Sequence, residues 1–400
     1  MGSASTNRIL APPSERNTLL GWLRKNLFNS WPNIIISIGS LVVIVYTITG
    51  LANWALNTAN WQVIPTNLRL FLVGQYPTSQ LWRIWLTLHI LSAIIGISLG
   101  VWSRQRRWLI VITLVLSAGL AMLPFNRSIG LQLVYLALSG ALGWGIARIR
   151  PALFSRIAII SWSAYFIIFI LIIRGFTGDS GLFPIIGSNL WGGLLLTFLL
   201  TVVGILFSFP IGIFLALGRQ GKLPIVRWFC ITFIELVRGV PLVTVLFMAQ
   251  LMLPLFLPGN VTIDRVIRAM VGITLFSAAY LAENVRGGLQ AIPKGQYEAA
   301  SAMGLNGIQS MVLIILPQAL RLIIPILVGQ FISLFKDTTL VAIVGLFDLL
   351  GISKTVLAQP DFIGLQIEVY IFISALYFIF SYVMSNISQR LEVGLGVGER

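Results

Sequence analysis

Two short groups of charged residues interrupt segments that are otherwise apolar enough to cross a bilayer. Glu235 and Arg238 form the first group and lie three residues apart on one predicted helix, so their side chains can pair. Gly239 and Pro241 follow and interrupt the helical hydrogen bonding. A charge in a bilayer costs roughly 2.5–3.5 kcal/mol on insertion scales, and irregular backbone is tolerated there only inside protein or beside a wet cavity. We therefore expect Glu235, Arg238 and Pro241 either to line a path through the membrane or to include a structural ion pair near its cytoplasmic surface.

The second group lies inside a later apolar segment and consists of Lys336, Asp337, Thr338 and Thr339. An ammonium, a carboxylate and two hydroxyls together offer the opposite charges and hydrogen bonds that a small zwitterion requires. The same lysine and aspartate can instead pair with each other and hold a gate closed. The sequence leaves both interpretations open, so these residues are candidates for a path or for its gate.

The remaining polar residues within apolar segments favour structural roles. Glu283 and Arg286 are three residues apart and are predicted to form an ion pair at the inner end of their helix. His89, the single histidine, is expected to hydrogen-bond to a neighbouring helix rather than to relay protons. The sequence has no GxxxxGK[ST] phosphate loop, no HExxH or CxxC pair and no Ser/His/Asp set. We therefore expect no catalytic residue and no metal site on this chain, which argues against an integral-membrane enzyme.

The composition is that of a membrane protein. Of 400 residues, 57% are apolar and 10% are charged, against roughly 45–50% and 25% in soluble domains. The net charge of +15 comes from Lys and Arg scattered between apolar runs rather than from one basic face, so we expect no nucleic-acid binding. Residues 1–32 are polar and lack the pattern of a removable signal peptide, and they are expected to form a cytoplasmic tail.

The apolar segments predict an all-α integral membrane protein with about ten transmembrane helices. The predicted spans are Asn33–Leu51, Leu81–Trp102, Trp108–Pro124, Leu131–Ala147, Ile157–Arg174, Leu190–Leu217, Trp228–Leu257, Val266–Leu289, Val312–Gly345 with an interruption, and Ile363–Ile387. Residues 53–80 are rich in Trp, Asn and Thr and are expected to be an external loop or re-entrant segment. Gly, Asp, Ser and Pro between residues 174 and 189 separate an N-terminal part, residues 33–175, from a C-terminal part, residues 190–390.

The distribution of Lys and Arg predicts the orientation in the membrane. If the N-terminus is inside, the inner connections receive Arg104, Arg106, Arg107, Arg148, Arg150, Arg156, Arg219, Lys222, Arg227, Arg286, Lys294 and Arg321. The outer connections then receive only isolated charges. Because loops facing the cytoplasm carry the excess of Lys and Arg, both termini and residues 289–317 are predicted to be cytoplasmic.

Glycines recur in the N-terminal part of the chain. Gly96 and Gly100 have the GxxxG spacing, and Gly140, Gly143 and Gly145 follow on a later span. Small residues let helix backbones approach closely in lipid. We expect this part to pack against the C-terminal part or against a neighbouring subunit.

Residues 289–317 are a loop of mixed polarity that is predicted to contain a short surface helix. Pro293 suits the first turn of a helix, residues 297–303 favour a helix, and Gly304 can supply the positive φ that ends it. Three alanines leave one face of this helix with little side-chain bulk, so another protein can dock there. Two larger residues flank the contact. The alanines are Ala299, Ala300 and Ala302, and the flanking residues are Tyr297 and Glu298.

This loop also carries a specific sequence pattern. Glu-Ala-Ala, three residues, Gly, nine residues and Ile-x-Leu-Pro are met by Glu298, Ala299, Ala300, Gly304, Ile314, Leu316 and Pro317. The pattern resembles the EAA loop of ABC-importer permeases. Residues 191–198, 233–248, 317–325 and 331–352 are similar to the polar amino-acid branch of that family, and in particular to the M-type, extended subunit of general L-amino-acid transporters.

The resemblance implies a type I ABC-importer core of five helices, preceded by about five extra helices, in a bacterial inner membrane. Tyr297, Glu298, Ala299, Ala300 and Gly304 would belong to the coupling helix, which docks into a cytoplasmic ATPase subunit. The implied partners are two ATPase subunits that bind ATP and Mg, a second permease subunit of the shorter Q-type and a periplasmic binding protein. The implied cargo is an L-amino acid, with polar or broad specificity.

The alternative is a stand-alone ion-coupled secondary amino-acid transporter. Such a protein requires repeats with matched broken helices. The interruptions at residues 239–241 and 336–339 differ in composition, which disfavours this alternative.

Overall fold

The computed structural model describes residues 22–23, 26–102, 127–178, 181–258 and 262–395, and the regular elements in these ranges are helices. The predicted span Trp108–Pro124 and most of the predicted tail, residues 1–32, lie outside them. The chain forms two compact units, Met1–Gln62 and Val63–Arg400. In the first unit, α1 (Trp31–Asn53) continues into a π-helical turn, and the Trp61 indole N–H donates to the Ala55 carbonyl over 2.8 Å.

The second unit contains twelve labelled helices in its described residues. They are α2 (Val63–Val73), α3 (Leu81–Trp102), α4 (Arg127–Ile149), α5 (Pro151–Arg174), α6 (Gly193–Gln220), α7 (Pro224–Arg238), α8 (Leu242–Phe247), α9 (Arg265–Gln290), α10 (Lys294–Ala302), α11 (Leu316–Asp337), α12 (Leu349–Leu357) and α13 (Gln366–Leu395). Short π- and 3-10 helices prolong α8 to Phe256, precede α11 and follow it to Val344.

Eight helices among the described residues are long and apolar enough to cross a membrane, and a ninth span is formed if one bent helix pair is counted. This agrees with the all-α membrane fold and the approximate number of spans that the sequence predicts.

The glycines of the N-terminal part join α3 to α4. A Cβ atom built on Gly96 would lie 2.0 Å from the Gly140 carbonyl oxygen, and one on Gly143 would lie 2.4 Å from the Ala93 carbonyl oxygen. The glycine surface is therefore used between two helices of the same part. The expected packing of this part against the C-terminal part is made by other residues, because Tyr76 and Ile173 share a buried cluster with Leu195. The same helix pair contains a 3.1 Å contact between His89 Nε2 and Gln132 Oε1, which confirms the interhelical role expected for His89.

Helices α6 and α9 run parallel through the C-terminal part and form its centre. Gly204 of α6 lies beside Ile273 of α9, and Gly212 lies beside Leu281 about two turns further on. Small residues on both helices permit this approach, and the apolar side chains around them form two buried clusters. Because α10 follows α9 after three residues, the C-terminal ends of α6 and α9 lie at the α10 end of the fold.

Helix α2 packs against this centre, although its residues belong to the segment expected to be an external loop or re-entrant. Val63 and Phe71 are fully buried, and the Phe71 ring lies 5.2 Å from that of Phe372 on α13. The Gln359 side-chain amide donates to Asn67 Oδ1 over 3.0 Å. The apolar face of α2 explains this position, so contacts extend across the sequence boundary at residues 175–190.

The two predicted interruptions differ in the structure. The predicted span Trp228–Leu257 is broken into Pro224–Arg238 and Leu242–Phe256, which meet at 108°. Pro241 precedes α8 and has no N–H to continue the first helix. The segment Gly307–Val344 stays helical, but its α-helix ends at Asp337, inside the interruption predicted at residues 336–339, and a 3-10 helix continues from Thr338 to Val344. It ends at Gly345, whose φ of +80° favours glycine.

Candidate functional site

Helix α10 and the turn after it are exposed, and hydrogen bonds within this segment terminate the helix. The helix begins after Pro293, and Gly304 adopts a φ of +79° at its end. The Leu305 N–H donates to the Ala300 carbonyl and the Gly304 N–H donates to the Ser301 carbonyl, which together make a Schellman ending. The sequence prediction of a short helix terminated by Gly304 is confirmed.

The exposed face of α10 differs from the predicted one at a single alanine. Tyr297, Glu298, Ala299 and Ala302 are exposed, whereas Ala300 is only 4% exposed. Successive side chains of an α-helix point about 100° apart, so neighbouring alanines cannot share one face. Ala300 therefore holds α10 to its own chain and is not available to a docking protein.

Two polar contacts connect α10 to the helices on either side of it. The Tyr297 hydroxyl lies 3.5 Å from the carbonyl oxygen of Leu289 near the end of α9. The Gln318 amide donates to Gln296 Oε1 over 3.1 Å and so reaches α10 from the first turn of α11. A displacement of α10 would therefore act on both α9 and α11.

A network of charged side chains joins α6, α7 and α9 near the end at which α10 lies. Arg219 Nη1 lies 2.9 Å from Glu235 Oε1 and 3.6 Å from Glu283 Oε2. Arg238 Nη1 lies 3.6 Å from the same Glu283 oxygen, and Arg286 pairs with Glu283. Three arginines thus share two glutamates, with Glu283 in the middle. We call these five residues, Arg219, Glu235, Arg238, Glu283 and Arg286, the inner ion network, after the cytoplasmic position that the sequence predicts for α10.

The inner ion network corrects one predicted pair and confirms another. Glu235 and Arg238 do not pair with each other; each pairs with a residue on another helix. Arg238 also lies 5.7 Å from the ring centre of Tyr280, which favours the cation. Glu283 and Arg286 pair as predicted. The pairing of Arg219 with Glu235 has no local signal in the sequence, because sixteen residues and a turn separate them.

Lys336, Asp337, Thr338 and Thr339 lie where α11 passes into the 3-10 helix. Both threonine hydroxyls donate over 2.8 Å to carbonyls three residues earlier, so these donors are already used within the chain. Asp337 is half-buried, with the Ser333 hydroxyl 3.5 Å from its Oδ2, and Lys336 is exposed. No ion pair joins Lys336 to Asp337 in the described part of the chain. This removes the interpretation in which they pair with each other in this conformation.

The two sequence-predicted groups do not form one site. The ring of Phe335, next to Lys336, lies 5.5 Å from the Phe198 ring on the second turn of α6. Arg219 lies on the last turn of the same helix. Because an α-helix rises 1.5 Å per residue, the groups are about 32 Å apart along α6. One group therefore lies near the α10 end of the helices and the other near the opposite end.

Between these ends, amide side chains connect α9 to α11. The Asn284 amide donates to Gln330 Oε1 over 2.7 Å, and the Gln330 amide donates to the Ser277 carbonyl over 2.9 Å. Asn284 and Gln330 are not among the site residues predicted from the sequence, although polar amides inside two apolar spans are a signal for such residues. Within the residues that the structure covers, no group of three or more His, Cys, Asp or Glu is placed to hold a metal ion.

Comparison with known proteins identifies similar sequences over most of the chain. Residues 208–393 match the family described as the binding-protein-dependent transport system inner membrane component. The chain is 39% identical to the inner membrane amino-acid ABC transporter permease protein YhdY of Escherichia coli K12, over 94% of this chain and 93% of that protein.

Two further relatives show which parts are shared. The chain is 37% identical to the glutamate/glutamine/aspartate/asparagine transport system permease protein BztC of Rhodobacter capsulatus, over 96% of each. It is 38% identical to the glutamate/aspartate import permease protein GltK of Escherichia coli O6:H1, over 50% of this chain and 90% of that protein. The chain therefore resembles extended relatives along its whole length and a shorter relative along half of it.

Proposed function

The chain belongs to the family of amino-acid ABC transporter permeases, and from this premise we propose which amino acids, partners and residues its transport cycle uses. It is the transmembrane, multi-pass inner membrane subunit of an ATP-driven importer and is not itself an enzyme. ATP hydrolysis belongs to a separate subunit. The observation that carries the assignment is the full-length similarity to extended amino-acid permeases. The cargo proposed for this chain is an L-amino acid of polar type, as named for BztC and GltK.

The proposed ATPase-coupling element is α10 with its terminal turn. Its exposed surface is formed by Tyr297, Glu298 and Ala299. Ala300 packs against the rest of the chain, and Gly304 ends the helix. An ATPase that closes around ATP and Mg would displace α10, and the contacts to Leu289 and Gln318 would pass that displacement to α9 and α11. The support for this proposal is that α10 is both exposed and attached at two points.

The inner ion network is proposed as the gate at the ATPase side of the path. Glu235 and Arg238 lie on α7, just before the 108° bend that Pro241 introduces, and Glu283 lies on α9, which leads into α10. A movement of α9 relative to α7 would separate Arg238 from Glu283. Lys336, Asp337, Thr338 and Thr339 are proposed to belong to the outer end of the path. Alternating access would then open the two ends in turn.

The proposed assembly contains two ATPase subunits, a periplasmic binding protein and a second, shorter permease chain of the Q-type. Residues 190–390 are proposed as the permease core, and residues 33–175 as an N-terminal extension. The proposed orientation places both termini and α10 in the cytoplasm, which is supported by the Lys and Arg that gather on the same side as α10.

The test is reconstitution of the complete complex in proteoliposomes with a panel of binding proteins, each loaded with one amino acid. The expected result is ATP hydrolysis stimulated by binding proteins that carry polar amino acids, together with uptake of the same labelled amino acid. Stimulation only by binding proteins carrying other cargo classes would contradict the substrate proposal. Uptake that an ion gradient drives without ATP would contradict the mechanism.

A further inference from the structure

A cavity of about 450 Å³ opens at the outer end of the helices, opposite to α10. Three segments line it: residues 188–191 before α6, residues 262–266 at the start of α9, and residues 345–347 after the 3-10 helix. All three segments belong to the same compact unit. The volume falls in the range of roughly 300–1,000 Å³ that is usual for small-molecule sites.

Two neighbouring side chains give this outer cavity opposite charges. Asp264 is fixed: its Oδ1 accepts the Val266 N–H over 2.8 Å, and the Ser188 hydroxyl donates to its Oδ2. Arg265 is exposed, and its guanidinium makes no hydrogen bond or ion pair with any residue that the structure describes. The Asp264 carboxylate, fixed by hydrogen bonds, is therefore next in the chain to the Arg265 guanidinium, whose N–H donors have no partner among the described residues. Guanidinium groups bind carboxylates with two parallel hydrogen bonds.

The rest of the wall suits a molecule with both polar and apolar parts. Trp191 is only 7% exposed, and its indole N–H has no hydrogen-bond partner among the described residues. Leu346 and Phe347 add apolar surface, and Asn189 and Thr262 add polar groups. A buried donor without a partner is costly, so a conformational change that turned this N–H toward a bound acceptor would recover that cost.

We propose that the outer cavity binds a free amino acid as a zwitterion before it enters the membrane path. Arg265 holds the α-carboxylate, and the second oxygen of Asp264 receives the α-ammonium. A simple anion fits less well because the fixed carboxylate of Asp264 repels it, and a simple cation fits less well because of Arg265. The cavity lies about one helix length from the inner ion network, so it is a separate site. This inference rests on the proposed function, which brings amino acids to this face.

The experiment uses thiol labelling in the complete reconstituted complex. Cys230 is buried and is the only cysteine of this chain, so Cys230→Ala leaves this chain without a thiol, and Asn189→Cys then introduces one at the cavity wall, whose labelling is read on this chain. A membrane-impermeant thiol reagent is added from outside, without binding protein. A mixture of the L-amino acids other than cysteine, whose own thiol would consume the reagent, is the probe, and the corresponding decarboxylated amines are the comparison. At ten times the Kd, labelling is expected to slow about tenfold with amino acids. The amines should leave the labelling rate unchanged.

The charge variants test the assigned contacts. Arg265→Gln should abolish protection by amino acids, and Asp264→Asn, which keeps a good helix cap, should weaken it. Arg174→Gln removes an exposed charge outside the cavity and should leave protection intact. If Arg265→Gln fails to assemble, protection in the Asn189→Cys protein still decides the proposal.

The possible outcomes separate this inference from the proposed function. Labelling that amino acids do not slow, in a complex that takes up amino acids with ATP, overturns only the cavity assignment. Protection by the binding protein whether or not it carries cargo, with none by free amino acids, also overturns it and identifies the cavity as a docking surface. A complex without ATP-dependent uptake contradicts the proposed function, while protection by free amino acids would still establish the site.

Discussion

Arg219 at the end of α6 lies 2.9 Å from Glu235 on α7, and this pair joins the centre of the fold to the helix that precedes the sharp bend. Arg219 also reaches Glu283, which is only 22% exposed and is shared by three arginines. The interaction therefore depends on three helices at once. A rearrangement of any one of them changes the charge balance of the inner ion network.

Glu283→Gln should weaken the inner ion network and loosen the inner gate. The change removes the negative charge shared by three arginines, which we expect to cost about 1–2 kcal/mol, or a factor of about 5–30 in the equilibrium between closed and open states. ATP hydrolysis in the absence of cargo should rise and uptake per ATP should fall. The measurement is ATPase activity and uptake in proteoliposomes.

Glu392→Gln provides the matched control for this change. Glu392 lies near the end of α13, where it accepts a hydrogen bond from Ser388 and has no contact with the network. Removal of the Glu392 charge should leave ATPase activity and uptake per ATP as in the unmodified complex. Equal effects of the two substitutions would contradict the gate proposal.

Gly304→Asp should abolish ATP-dependent uptake and leave membrane insertion intact. Gly304 has a φ of +79°, which costs other residues about 1–2 kcal/mol, and a carboxylate at the end of α10 opposes the helix dipole. Gly307→Asp is the control. A Cβ atom at Gly304 or at Gly307 meets open space, but of the two only Gly304 has a positive φ. Uptake and co-purification of the ATPase are measured. Normal uptake by Gly304→Asp would remove α10 from the coupling role.

Gly96→Ala should destabilise the contact between α3 and α4. The added methyl group would lie 2.0 Å from the Gly140 carbonyl oxygen, so a backbone must shift, and overpacking typically costs about 1–3 kcal/mol. Gly145→Ala is the control on α4 because a methyl group there meets open space. The melting temperature of the purified protein should fall for Gly96→Ala and stay unchanged for Gly145→Ala. Equal melting temperatures for the two variants would refute this contact.

Asp348 should give the folding stability of the protein an unusual dependence on pH. Burial raises the pKa of this carboxyl from 3.8 to about 6, although the backbone N–H groups of Gly351 and Leu350 favour the charged form. Between these values the folded state binds more protons than the unfolded state. Stability from this group is therefore present at low pH and is lost as pH rises through about 6, by up to about 3 kcal/mol.

Asp348→Asn removes this titration while keeping a side chain that can cap α12. The melting temperature of the variant minus that of the unmodified protein should increase between about pH 5 and pH 7.5. The control is Asp361→Asn, which alters an exposed carboxylate after α12. A difference in melting temperature that stays constant with pH would contradict the assignment to Asp348.

Local features of the fold could be predicted because a few neighbouring residues determine them. The helix Lys294–Ala302 follows from its helix-forming residues, and its end follows from the freedom of Gly304 to adopt positive φ. The bend at Pro241 follows from a missing N–H. The α-helix ends at Asp337, inside the interruption expected at residues 336–339, but the chain does not open there, since it continues as a 3-10 helix to Val344.

The sequence by itself determined the membrane class, the approximate spans, the short surface helix α10 and the family, because hydropathy and a short contiguous pattern need no knowledge of distant contacts. Only the tertiary structure decided that Glu235 pairs with Arg219 rather than Arg238, that Ala300 faces inward, and that residues 188, 264 and 346 enclose one cavity. These relationships join residues that are far apart in the chain. Their partners are fixed by how parallel helices pack, and the order of residues does not encode that packing in any local pattern.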